Sequence, residues 1–151
     1  MPVLISSEID LNTYNLSLQA LAAIAEKLLN LSKRTDWELS ILLVSDQRMA
    51  ELNGQYRKKP VPTNVLAFPM DDEPDKLSQT MLGDIVISVD TAIREAAQES
   101  ISPLERIVKL LIHGFLHLLG HDHERSDEED DFMRAEEKKI IKELDLIIKE
   151  I

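Results

Sequence analysis

A chain of 151 residues, 44% hydrophobic and 30% charged, can bury a sizeable core and is expected to form a single domain over residues 1–151. The absence of cysteine excludes disulfides and Cys-based zinc modules, and it suits a reducing cytoplasm. A formal charge of −11 disfavours non-specific nucleic-acid binding, and no apolar run resembles a membrane span or a signal-peptide core, so export and insertion are not expected.

The elements follow in order. Val3 to Ile5 is a short apolar run suited to an edge strand, and Leu16 to Leu31 carries apolar residues at helical spacing with Ser17 near its start. Glu38 to Val44 reads as a strand, and Ser45-Asp46 supplies the cap for a helix through Met49, Leu52 and Tyr56. Val65 to Phe68 and Ile85 to Val89 are predicted as buried strands, separated by an exposed loop from Asp71 to Thr80. Thr91 to Gln98 returns to helix.

Ser102-Pro103-Leu104-Glu105 combines an N-cap, a proline at the first helical position and a capping-box glutamate. The helix it opens is apolar around most of its circumference, and Gly120 is placed to end it in a left-handed cap. Ser126 to Glu129 forms a second capping box before an amphipathic helix that contains Phe132, Met133, Ile140, Ile141, Leu144 and Ile147. The alternation predicts an α/β (α+β) fold: one small mixed sheet of about four strands with helices packed on it.

Charge is unevenly distributed. Residues 124–151 hold 11 acidic and 6 basic side chains, whereas residues 46–66 hold 4 basic and 2 acidic. A locally basic surface therefore survives on an acidic body.

All four histidines fall in the run His113-Gly-Phe-Leu-His117-Leu-Leu-Gly-His121-Asp-His123, and the other 140 residues contain none. Imidazoles four residues apart on a helix point the same way and can share one ion, and a reversal at Gly120 brings His123 back toward them. Three nitrogen ligands leave a fourth position open, as in catalytic zinc sites, so one Zn2+ per chain on His113, His117 and His123 is expected. The competing reading makes His113 and His117 satisfied core residues. His121 suits a loop or supporting role, and Asp122 suits either a turn or the orientation of an imidazole.

The H-x-x-x-H spacing is that of a zincin-like metal-binding helix, but Gly114 stands where a metallopeptidase carries its general-base glutamate. Glycine inside a helix costs about 1 kcal/mol relative to alanine, which points to something lying close against the backbone, either substrate or a neighbouring element.

The histidine run matches the signature H-G-x-L-H-L-x-G-x-D-H at every fixed position, and the chain thereby resembles the YbeY endoribonucleases of bacteria and organelles. Leu52-Asn53, Tyr56-Arg57, the run from Thr63 to Pro69 and the run from Leu82 to Ser88 also resemble that family's blocks in order and spacing. The likeness covers essentially the whole chain. It departs at Lys59-Pro60, where the family often has Lys-Asp before its proline, and at Ala67, where a serine is common.

The resemblance implies a zinc-dependent, single-strand-specific endoribonuclease of ribosomal RNA maturation, notably at the small-subunit 3′ end, and of ribosome quality control. It carries the ligand roles onto His113, His117 and His123, and a role near the metal onto Arg57. The catalytic residues expected are then Arg57 and His113, with Arg57, Lys58 and Lys59 contacting substrate phosphates. Partners implied are single-stranded rRNA in small-subunit precursors and ribosome-associated proteins, with no membrane. Asp84 and Glu124 are weaker candidates for proton transfer. Two other functions fit the residues: a zincin-like hydrolase of peptides, opposed by Gly114, and a non-catalytic, metal-stabilised ribosome-assembly factor.

Overall fold

The computed structural model describes residues 3–32, 34, 36–69, 81–119, 135, 138–140, 142 and 143. Four strands, β1 (Val3–Ser7), β2 (Glu38–Val44), β3 (Val65–Pro69) and β4 (Met81–Ser88), form one sheet in the order β1-β2-β4-β3. β1, β2 and β4 are parallel neighbours, and β3 runs antiparallel to β4 at the opposite edge from β1. The helices are α1 (Leu18–Leu31), α2 (Asp46–Arg57), α3 (Val89–Glu99) and α4 (Pro103–Leu118). The mixed, α+β character and the four strands agree with the sequence expectation. Among the described residues, no helix is long and apolar enough to cross a membrane.

Successive strand residues face opposite sides of a sheet, and here the two sides bury different partners. Leu39, Ile41, Leu43, Ile85 and Ile87 join the main core with residues of α1, α3 and α4, including Leu21, Leu28, Ala92, Ile107, Leu111 and Phe115. The alternate residues Leu42, Val44, Leu66, Phe68 and Val86 pack with Met49 and Leu52 of α2. Among the described residues, α1, α3 and α4 therefore lie on one face and α2 on the other.

The helix starts follow local chemistry. Ser17, Ser45, Ser88 and Ser102 all sit in extended backbone, and each side-chain oxygen accepts a hydrogen bond from an N–H of the first turn, at Ala20, Arg48, Thr91 and Glu105 respectively. Leu16, expected inside the first helix, instead precedes its cap. It is buried in the same core as Leu21, the pattern of a hydrophobic staple. A single 3-10 turn at Leu11–Tyr14 has no counterpart in the sequence reading.

Four strand boundaries differ from expectation, one of them only by Pro69, which β3 keeps in register with Gly83. β1 extends to Ser7 because Ser6 and Ser7 keep their pairing with Leu42 and Leu43. β4 begins at Met81 rather than Ile85, since Gly83 and Asp84 are held extended by partners on both sides, Leu39 and Ser40 of β2 and Pro69 and Phe68 of β3. Val89 leaves the strand for α3, because the Ser88 cap starts the helix there. β3, expected to be buried, is an edge strand in which only Leu66 is fully covered.

The loop predicted over 71–80, the Gly120 cap, the capping box at 126–129 and most of the last predicted helix lie outside the described residues. Ile140 is helical and belongs to the main core.

Candidate active site

α4 is the most deeply buried helix. From Leu110 to Leu118 every residue is buried except His113 and His117, which are partly open to solvent. Their i, i+4 spacing puts them on one stripe. The two Nε2 atoms stand 2.9 Å apart, and the rings meet edge to face with centroids 4.4 Å apart. Ring nitrogens converging from a rigid, capped helix are a donor pair suited to a borderline-soft divalent cation such as zinc. Among the described residues no group of three His, Cys, Asp or Glu side chains gathers around them. His121, Asp122, His123 and Glu124 lie outside the described residues.

Gly114 is explained by the sheet. A Cβ at this position would come within 3.1 Å of Ile85 Cγ2 and 3.4 Å of its Cδ1 and Cγ1. Of the two approaches that the sequence left open, the structure has the neighbouring element: α4 lies directly on β4. One helical turn later the same contact repeats. A Cβ on Gly83, whose φ of +149° itself favours glycine, would meet Leu118 Cδ2 at 2.9 Å and run into the Phe68 carbonyl oxygen. These two approaches set the height of the histidines over the strands.

Arg57, Lys58 and Lys59 are all exposed at the C-terminal end of α2. Lys58 adopts a left-handed conformation (φ 59°) that turns the chain out of the helix. Both the Lys58 and the Lys59 N–H donate to the Asn53 carbonyl, and Asn53 Nδ2 donates to the Val61 carbonyl at 2.9 Å. The turn folds back tightly enough that a Cβ on Gly54 would lie 3.2 Å from Pro60. Pro60, one of the departures from the family pattern, thus has a packing partner in α2.

The structure brings His113 and His117 together and groups Arg57, Lys58 and Lys59 at the end of α2, and the helices that carry the two sets, α4 and α2, pack on opposite faces of the sheet. Edge strand β3 runs between them. Phe68 faces α2 and meets the Tyr56 ring at 5.1 Å, whereas Ala67 faces the α4 layer beside Ile85, its register partner. Asp84, the register partner of Phe68, is exposed.

Asn53 and Tyr56 stand in blocks that resemble the family, but the sequence assigned neither a role. Asn53 sits on the buried stripe of α2 with Met49 and Leu52, where a polar residue amid apolar ones was the available signal. Tyr56 falls on that same stripe yet is exposed, where the last turn of α2 meets β3, the edge strand among the described residues.

A sequence model of the family described as "Endoribonuclease YbeY" matches residues 5–145. Among proteins carrying that name, one from Persephonella marina is 46% identical over 104 residues, covering 69% of this chain and 68% of its own. One from Geobacter metallireducens is 43% identical over 122 residues, covering 80% and 81%. The chain is also similar to a Thermotoga maritima protein solved in solution, with TM-score 0.65, 28% identity, and 93% of this chain and 87% of that chain covered.

Proposed function

The chain belongs to the YbeY endoribonuclease family, and we propose that it is a zinc-dependent hydrolase that cleaves single-stranded ribosomal RNA during small-subunit maturation and ribosome quality control in the cytoplasm. The observation that carries this reading is the His113–His117 pair, converging at 2.9 Å on the open stripe of an otherwise buried helix. With His123, these residues would hold one zinc ion. A zinc ion bound there supplies Lewis acidity, polarising a phosphoryl oxygen and lowering the pKa of water toward neutrality.

The chain's own residues do the rest. Arg57 offers a planar fork that takes two oxygens of one phosphate, and Lys58 and Lys59 add point charges for flanking phosphates. The substrate strand passes around the edge of β3, from the basic turn on one face to the imidazole pair on the other. Gly114 supports RNA over peptide as substrate: Ile85 fills the space beside it, so the general-base glutamate of peptidases has no room there. The acidic body keeps intrinsic RNA affinity modest, which leaves ribosome-associated proteins to contribute to recognition.

The test is cleavage of a labelled single-stranded rRNA fragment by highly purified wild type, His117→Ala and Arg57→Ala, with metal content measured on the same samples. The expected result is about one zinc per chain in wild type, loss of activity in both variants, and loss of metal only in His117→Ala. Equal residual cleavage in all three would identify a contaminating nuclease and overturn the reading. Products ending in a 2′,3′-cyclic phosphate would identify the ribose 2′-OH as the nucleophile, and 3′-hydroxyl with 5′-phosphate ends would identify water.

A further inference from the structure

Tyr56 is the one exposed aromatic side chain among the described residues, 59% exposed at the end of α2. It stands next in sequence to Arg57, Lys58 and Lys59. Its ring meets that of Phe68 at 5.1 Å and a tilt of 59°, and more than half of the residue remains open to solvent. We propose that Tyr56, seated on Phe68, is a stacking platform for one base of single-stranded RNA and helps the site select single strands over duplex.

The proposal rests on the endoribonuclease reading and names the part of the site that recognises the base. An exposed aromatic flanked by cations is the combination that single-strand binders use, because stacking tolerates any base while Lys and Arg track the phosphates. A base within a duplex is already stacked on its neighbours and must be extruded before it can reach such a ring, so the preference for single strands follows. The platform is preorganised. Phe68 is held in β3 by its pairing with β4, and the basic turn is held by Asn53 and by the close fit of Gly54 against Pro60.

Charge orients the strand. Asp84, exposed and paired in register with Phe68, repels phosphates, while three exposed cations follow Tyr56 directly in the chain. A base stacked on Tyr56 therefore has its backbone drawn toward Lys58 and Lys59. From there the strand rounds the edge of β3 toward α4.

The experiment is fluorescence anisotropy with a labelled single-stranded octanucleotide, intact or with one abasic ribose at successive positions. Wild type is compared with Tyr56→Ala, Tyr56→Trp and the pair Lys58→Ala/Lys59→Ala. Tyr56→Ala is expected to lose about 5- to 150-fold in affinity, Tyr56→Trp to retain it, and the salt dependence to weaken only in the lysine variant. One abasic position should weaken binding to wild type by a similar factor and add nothing in Tyr56→Ala. Should Tyr56→Ala unfold, Tyr56→Leu keeps the apolar contact with Phe68 and removes the π face. If wild type cleaves RNA but Tyr56 variants bind intact and abasic strands as wild type does, the platform is overturned and the endoribonuclease reading stands. If wild type neither binds nor cleaves single strands, both fall.

Discussion

Gly114 and Ile85 touch where α4 crosses β4: a Cβ on the glycine would lie 3.1 Å from Ile85 Cγ2, a contact that is accommodated only if the isoleucine gives by a few tenths of an ångström. Ile85 is fully buried among core residues, so it cannot yield freely. Alanine at 114 gains about 1 kcal/mol of helix propensity but forces a shift in a close-packed core, for which overpacking costs typically about 1–3 kcal/mol. Gly114→Ala should therefore be neutral to destabilising in urea denaturation. The double variant Gly114→Ala/Ile85→Ala should be more stable than the sum of the single changes predicts, and strict additivity would show that the contact carries no strain.

Zinc binding should be visible without any activity. A ligand bound only by the folded state raises its stability as RT ln(1 + [L]/Kd), about 2.7 kcal/mol at one hundred times Kd. Added zinc should raise the melting temperature of wild type and of Arg57→Ala, and should leave His117→Ala unmoved. A shift of equal size in His117→Ala would place the ion elsewhere.

Asp46 makes stability pH-dependent. Burial alone would raise its carboxyl pKa, but hydrogen bonds from Ser88, Thr91 and Arg94 and the charge of Arg94 outweigh this and hold it below the ordinary carboxylate value. Ser88 and Thr91 hydroxyls donate to Oδ1 at 2.7 and 2.6 Å, and Arg94 meets Oδ2 at 2.8 Å. Arg94, in return, is raised by its hydrogen bond to Asp46. A folded pKa below the unfolded one means that the unfolded state binds more protons, so the contribution is present above about pH 4 and is lost as pH falls through the folded value. The stability gap between wild type and Asp46→Asn, from urea titrations at stepped pH, should be constant near neutrality and shrink in acid. A gap that widens in acid would reverse the assignment.

Asn53 is 3% exposed and holds the basic turn through both backbone and side chain. Asn53→Ala leaves the Val61 carbonyl without its donor and should cost about 1–3 kcal/mol. It should also speed protease cleavage within 58–61 and weaken RNA binding while leaving zinc content intact. Loss of zinc together with RNA binding would mean that the change acts on the whole fold.

What the sequence determined by itself was local. The serine starts at Ser17, Ser45 and Ser102, the i, i+4 convergence of His113 and His117, and the apolar circumference of α4 each depend on residues within one or two helical turns, whose dihedral and hydrogen-bonding preferences are readable in order. The tertiary structure decided what depends on distant partners. Met81 to Asp84 becomes strand because β2 and β3 pair with it from both sides, although glycine and aspartate disfavour strands. The close approach at Gly114 comes from Ile85, 29 positions away. Strand alternation shows that a helix can lie on either face of a sheet but does not say which, so the separation of Arg57 from the histidines, and the exposure of Tyr56 on Phe68, arise only when long-range pairing makes β3 the edge.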